Sequence, residues 1–348
     1  MTVAVKQVDV DVHVAPQTLE QLLEHMDDYW ADYVANGELH LSPGMNGMYP
    51  PAAFEPSGDE DGKPTPVPAS LEQLRAGLGD DRTAILNCLV PFDTTHNVYY
   101  EAALCKGVND WVRAEFLDRD PDLRASLLIP SQDPEAAIDE IARVGSHPGF
   151  VQALLPVRTD MPWGNKRFHS LHQAIAKEGL VMGLHAWGRV GNAPTPSGFT
   201  TSYLEDYLHN SQTIAQAQLT SLVSEGAFEH TPDLRVAILE CGSTWLPFLL
   251  WRFDKDWKAV WREVPWVRER PSAYVLRSMR FSTAPAQLPT APADLARIPE
   301  LMPVADLLMY ASDYPHRHGG NVDPLLALLD DEARERILST NAIELYSL

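Results

Sequence analysis

A (β/α)8 TIM barrel is the fold this sequence predicts, and three observations predict it. Short apolar, β-branched runs alternate with longer amphipathic stretches, the order of a parallel sheet with helices outside it. The runs lack an internal polar rhythm, as strands buried on both faces do. Eight such runs fit within 348 residues, an ordinary length for one barrel with insertions, so a single domain over 1–348 is expected.

In order, the expected strands are Val8 to Val14, Thr83 to Val90, Leu123 to Ile129, Phe150 to Leu155, Leu180 to His185, Leu234 to Leu239, Met279 to Ser282 and Asp306 to Ala311. Helical spacing fills the gaps at Asn97 to Leu117, Asp133 to Val144, Phe168 to Lys177, Ser211 to Glu225 and Thr244 to Trp261. Two stretches break the rhythm. Ala31 to Pro68, with Pro43, Pro50, Pro51, Pro56, Pro64, Pro66 and Pro68, is too long for a plain connection and sets a lid-like loop insertion at 31–72. Because it follows the first strand, it is expected over the C-terminal face of the barrel. Gly188 to Tyr203, rich in Gly, Pro and Thr, forms a second loop on the same face.

Composition narrows the function. Hydrophobic residues at 45% and charged residues at 22% are globular usage. A net charge of −21, from 27 Lys and Arg against 48 Asp and Glu, repels phosphate backbones and anionic lipid, so no nucleic acid and no membrane partner is expected. Met1 to Val10 lacks a basic segment followed by an apolar one, and no run of about 18 apolar residues occurs, which reads as cytoplasmic. Cys88, Cys105 and Cys241 have no zinc-site spacing and read as buried free thiols. Helix Thr244 to Trp261, with Trp245, Trp251 and Trp257, offers a face for a homodimer, and its Arg252 and Asp254 read as a structural ion pair.

The chemistry is expected where apolar strands stop, because side chains at the C-terminal ends of barrel strands converge. The first strand ends Asp9-Val10-Asp11-Val12-His13; with a period of two, the acids and the His share the inward face opposite Val8, Val10, Val12 and Val14. Buried charges of this kind cost several kcal/mol each unless paired or bound to a cation. Strand five ends at His185, strand six at Glu240 and strand eight runs into Asp313. Asp11, His13, His185, Glu240 and Asp313 are therefore the expected metal ligands, a mixture of imidazole and carboxylate suited to a divalent metal such as zinc, manganese or iron.

The runs Asp11-Val-His13, His185 after strand five, Glu240-Cys-Gly at strand six, Ala311-Ser-Asp313-Tyr-Pro-His316 and Asn341-Ala-Ile-Glu-Leu-Tyr346 together resemble the amidohydrolase superfamily. The branch they most resemble contains aminocarboxymuconate-semialdehyde and dihydroxybenzoate decarboxylases. The resemblance spans nearly the whole chain and implies a barrel with a metal at Asp11, His13, His185 and Asp313, the last also moving a proton. Superfamily members commonly carry His or Glu in place of Asp11 and His in place of Glu240, and binuclear members use a modified lysine from strand four, which Phe150 to Leu155 lacks. Glu240 is thus free to bridge or hold a second metal. The resulting donor set also resembles that of non-haem di-iron oxygenases, among them the amidohydrolase-like di-iron mono-oxygenase of platensimycin biosynthesis.

Two enzymatic readings follow. In one, the metal acts as a Lewis acid for hydrolysis or decarboxylation, with Asp313, Glu240 and His316 as the catalytic groups. In the other, the same ligands hold two irons and the enzyme hydroxylates a natural product such as a terpenoid with O2. A third reading is a non-catalytic binding barrel with idle ligands. Met45, Met48, Tyr49, Phe54, Trp187 and Phe199 on the two loops point to an apolar or aromatic small-molecule substrate. Trp187, His209 and Tyr314 are the expected pocket residues, and His318 stands beside His316 as a further imidazole.

Overall fold

A computed structural model describes residues 7–37, 66–79, 82–89, 95–188, 192–193, 195, 198–316 and 322–348. Eight parallel strands follow one another in chain order: β1 Gln7–His13, β2 Arg82–Asn87, β3 Leu123–Leu128, β4 Phe150–Arg158, β5 Val181–Gly188, β6 Val236–Leu239, β7 Met279–Ser282 and β8 Leu308–Met309. The seam between β8 and β1 is joined by Val10 N donating to Tyr310 O at 3.0 Å and His13 N to Tyr314 O at 2.7 Å. The expected (β/α)8 TIM barrel is the fold.

The apolar runs form strands because both of their faces are covered. Val8, Val10, Val12 and Val14 are buried on one side of β1, and Asp9, Asp11 and His13 are equally buried on the other. Helix starts use side chains that satisfy the first free N–H groups: Asp133 accepts from Glu135 N and Ala136 N ahead of Pro134–Val144, and Asn97 from Tyr99 N and Tyr100 N ahead of Val98–Val112. All three cysteines are buried thiols outside any disulfide, as expected.

Several boundaries differ from expectation, each for a local reason. β4 runs on to Arg158 despite Pro156, whose missing N–H is accommodated by a register shift against β5. β8 shrinks to two residues because Val304–Leu307 closes a helical turn and the amides beyond the strand find other partners, Tyr310 N on Ile337 O and Ala311 N on the Thr283 hydroxyl. β6 starts at Val236, since Leu234 N is drawn into a turn on Thr231 O. Within the expected insertion, Ala31 lies inside helix Asp28–Asn36 and Leu71 opens helix Leu71–Leu78; positions 38–65, with Met45, Met48, Tyr49 and Phe54, lie outside the described residues.

Arg252 and Asp254 do not pair with each other. Arg252 Nε bonds Asp256 one turn on, at 2.5 Å, and Asp254 accepts from Ser272 N and Oγ, joining helix Leu246–Val260 to Pro271–Ser278. Of Trp245, Trp251 and Trp257, only Trp251 is exposed. Trp245 is buried with its indole N–H on Cys241 O, and that of Trp257 donates to Val267 O.

One buried histidine makes a stability prediction. His172, on helix His169–Lys177, is fully buried with Nε2 2.9 Å from Trp163 O, and burial pushes its pKa down to about 4. The unfolded chain binds this proton first as pH falls from the ordinary His range, so the stability it contributes is complete above about pH 6.5 and lost toward pH 4. Urea unfolding at pH 7 and pH 5 is expected to show a loss of about 2 kcal/mol that the His172→Gln variant lacks. An equal pH dependence in both proteins would count against the assignment.

Candidate metal centre

The centre lies at the C-terminal end of the barrel. A register shift in β1 between Asp9 and Val12 bends the strand where Asp11 sits, as bulges next to functional sites do. β5 brings in His185, which is fully buried. Glu240 directly follows β6, and Asp313 follows β8.

Both carboxylates occupy the left-handed backbone region, Glu240 at φ 58° and Asp313 at φ 56°, which costs a non-glycine residue on the order of 1 kcal/mol or more. Neighbouring bonds hold them there. Glu240 N donates to Ser282 Oγ at 2.9 Å, Tyr314 N to Ser312 Oγ at 3.1 Å, and Ser312 N to Asp9 Oδ1 at 2.9 Å. Asp9 is thus a clamp between β1 and the Asp313 loop; burial lifts its pKa to about 6 against the pull of the Ser312 bond.

His13 Nε2 stands 3.4 Å from Asp11 Oδ1 and 2.7 Å from Asp313 Oδ1; His185 Nε2 stands 3.4 Å from Asp11 Oδ2. On its other side, His185 Nδ1 faces Glu240 Oε2 at 3.6 Å. His316 Nδ1 reaches Asp313 Oδ1 at 3.1 Å, and its ring lies 4.6 Å from that of His13. Burial lowers the pKa of His13 even though Asp313 opposes the shift. Burial, with Asp313 and Asp11 nearby, holds Glu240 well above the carboxylate range. Burial alone would raise Asp11, but the His185 contact outweighs it and the net shift is downward.

A divalent ion fits this donor set. Asp11 Oδ2, His13 Nε2 and His185 Nε2 are buried and make no hydrogen bond of good geometry, although His13 Nε2 lies 2.7 Å from Asp313 Oδ1 and His185 Nε2 3.4 Å from Asp11 Oδ2; buried polar atoms so placed ordinarily cost about 1–3 kcal/mol each. One ligand atom from each of Asp11, His13 and His185 lies within 4.8 Å of the other two. Metal bonds of about 2 Å place the ligands of one ion at separations near this. His13, Asp313 and His316 form a second group on the same criterion and share His13 with the first. The structure thus brings together Asp11, His13, His185, Glu240, Asp313 and His316.

The remaining expected residues are placed differently. His209 bonds Thr213 Oγ1 at 3.1 Å within a widened helical turn and belongs to neither ligand group among the described residues. Tyr314 directs its ring at helix Leu71–Leu78, where a Cβ on Gly77 would fall 1.8 Å from the Tyr314 hydroxyl. Trp187 lies near the end of β5, but its side chain and the whole of His318 lie outside the described residues. Phe199 is exposed.

Sequence reasoning missed Asn87, which ends β2 and donates to Asp11 Oδ1 at 2.7 Å. The strand-end rule applies to it equally, but only ionisable residues were sought. It also missed the buried pair of Arg158 and Asp206, since Arg158 lies beyond the expected end of strand four.

Comparison with known proteins bears on the family and the fold. A family model described as Amidohydrolase matches residues 8–348. No curated protein matches the chain. Among solved structures, an amidohydrolase from Mycobacterium avium subsp. paratuberculosis K-10 superposes with TM-score 0.69 at 16% identity, covering 100% of this chain and 99% of that one. A 5-carboxyvanillate decarboxylase from Novosphingobium aromaticivorans, with bound manganese, gives 0.68 at 18% identity over 98% and 97%. A 2,6-dihydroxybenzoate decarboxylase from Rhizobium gives 0.66 at 18% identity over 98% of each chain. No helix of the described residues is long and apolar enough to cross a membrane.

Proposed function

The chain belongs to the amidohydrolase family, and from that premise we propose that it is a divalent-metal-dependent enzyme acting on a small apolar or aromatic acid, with decarboxylation ahead of hydrolysis as its reaction. The observation that carries this reading is the convergence of buried ligand atoms on Asp11, His13 and His185 that make no hydrogen bond of good geometry, with the Asp313 carboxylate beside both His13 and His316. Structures similar in fold include manganese-bound decarboxylases of hydroxylated benzoates, and the same substrate class suits this site.

Asp11, His13, His185 and Asp313 would hold the ion, which when bound supplies Lewis acidity toward a substrate oxygen. In decarboxylation the carbon–carboxylate bond breaks, CO2 leaves, and the electron pair left on carbon takes up one proton. Asp313 Oδ1, within 3.1 Å of His316 Nδ1, is the carboxylate placed to pass that proton, and His316 to replace it from solvent. The burial of Asp11 and His185 keeps bulk water from the ligand side of the centre.

Glu240 favours a second reading. Burial beside Asp313 and Asp11 disfavours the charged form of Glu240, a cost that a second cation would relieve, and Glu240 meets the side of His185 turned away from Asp11. A second cation there gives the donor set of a di-iron mono-oxygenase that hydroxylates a natural product with O2. Anaerobic purification followed by elemental analysis separates the two. One manganese or zinc per chain, with CO2 release from a panel of hydroxybenzoates unaffected by oxygen, is expected on the first reading. Two irons per chain, with oxygen consumption dependent on substrate, would overturn it in favour of the second. A chain that takes up no metal would overturn both.

A further inference from the structure

A line of neutral polar side chains runs around the barrel lumen from Asp11, one strand per step. Asn87 Nδ2 on β2 donates to Asp11 Oδ1 at 2.7 Å; Ser126 Oγ on β3 donates to Asn87 Oδ1 at 2.6 Å. Gln152 Nε2 on β4 donates to Ser126 Oγ at 2.7 Å, and Tyr346 Oη, from helix Asn341–Tyr346, donates to Gln152 Oε1 at 2.8 Å. The register supports the path, since Asn87 lies beside His13 and Ser126 beside Gln152. All five residues are buried, so bulk water does not compete for these groups.

The polarity of the line is forced. A carboxylate only accepts, so Asn87 must present its amide N–H and leave its oxygen to Ser126. Ser126 has one proton and gives it to Asn87, so Gln152 must present its own N–H and turn its oxygen to Tyr346. Burial raises the Tyr346 hydroxyl above its ordinary range, which keeps it a donor. Gly183 on β5 leaves the room Gln152 occupies, because a Cβ there would fall 2.2 Å from Gln152 Cδ.

We propose that Asn87, Ser126, Gln152 and Tyr346 form a one-way positioning relay that occupies Asp11 Oδ1 and thereby fixes Oδ2, which faces His185 and accepts no hydrogen bond, as the metal-binding atom. Aligned donors strengthen one another in a low-dielectric interior, so loss of the far end is felt at the ligand. These four are positioning residues, and the inference rests on the metal centre proposed above.

The test is calorimetric titration of chelator-stripped protein with Mn2+, alongside the melting temperature of each apo variant. Outer-shell partners typically account for about 10–100-fold in metal affinity, so Ser126→Ala is expected to weaken Mn2+ binding about tenfold and Tyr346→Phe by several-fold. Ser126→Thr, which keeps the hydroxyl, should restore affinity. The double variant should bind no worse than Ser126→Ala alone, since both cut the same line. Should Ser126→Ala not fold, Tyr346→Phe and Gly183→Ala, which displaces Gln152, carry the same expectation. Wild-type affinity in these variants, or losses that multiply in the double variant, would overturn the relay while leaving the metal centre standing. Absence of Mn2+ binding by the wild-type protein would overturn both.

Discussion

The His13→Ala variant is expected to lose its metal. His13 is shared by the two ligand groups of the centre, and its Nε2 lies within 3.4 Å of both Asp11 and Asp313. Removing it takes one donor from either group, and the remaining carboxylates then face each other without the neutral ring between them. A direct ligand should exceed the about 10–100-fold typical of an outer-shell partner, so a loss of about 10³-fold or more in Mn2+ affinity is expected. The apo variant should still fold but at reduced stability, because His13 Nε2 lies 2.7 Å from Asp313 Oδ1 and its loss leaves that buried carboxylate facing Asp11. Elemental analysis of the purified variant and a Mn2+ titration check the two halves of this statement. Metal retained at wild-type affinity would remove the centre from the barrel mouth.

The second large effect is at Asp313. Asn tolerates the left-handed backbone that Asp313 adopts at φ 56°, so Asp313→Asn isolates the loss of charge from any loss of shape. The amide cannot carry a proton between His316 and a reacting carbon. With Mn2+ saturating, turnover of a hydroxybenzoate substrate is expected to fall by about 10²–10⁴-fold, the usual contribution of a positioned general acid or base, with a smaller change in KM. Turnover within threefold of wild type would assign the proton step elsewhere, with Glu240 the next carboxylate at the site.

Both targets are legible in the sequence, and the reason is physical. A charged side chain at the end of an apolar strand stands out because burying it is costly, so Asp11, His13, His185, Glu240 and Asp313 marked themselves. Neutral polar residues leave a weaker trace. Ser126 and Gln152 each interrupt an apolar strand, but a strand tolerates one solvent-facing residue, and only the closed lumen shows that these face inward. Tyr346 was quoted as part of a motif, yet its reach to Gln152 depends on a helix crossing that no local pattern specifies. The strand count was readable for the opposite reason, since double burial leaves the middle of each of β2 to β5 mainly apolar. β8 was overdrawn because Pro303 and the turn Val304–Leu307 share apolar composition with the strand they precede.

The bond from Ser312 N to Asp9 Oδ1 joins positions 303 residues apart, and the one from Tyr346 to Gln152 spans 194. Contacts this distant are slow to form, because a long loop must be closed before either end is rewarded. Asp11 and His13 therefore precede by most of the chain the segment that brings Asp313 to them. Uptake of an ion at the proposed centre is then expected to come late in folding, after the carboxylates have been gathered.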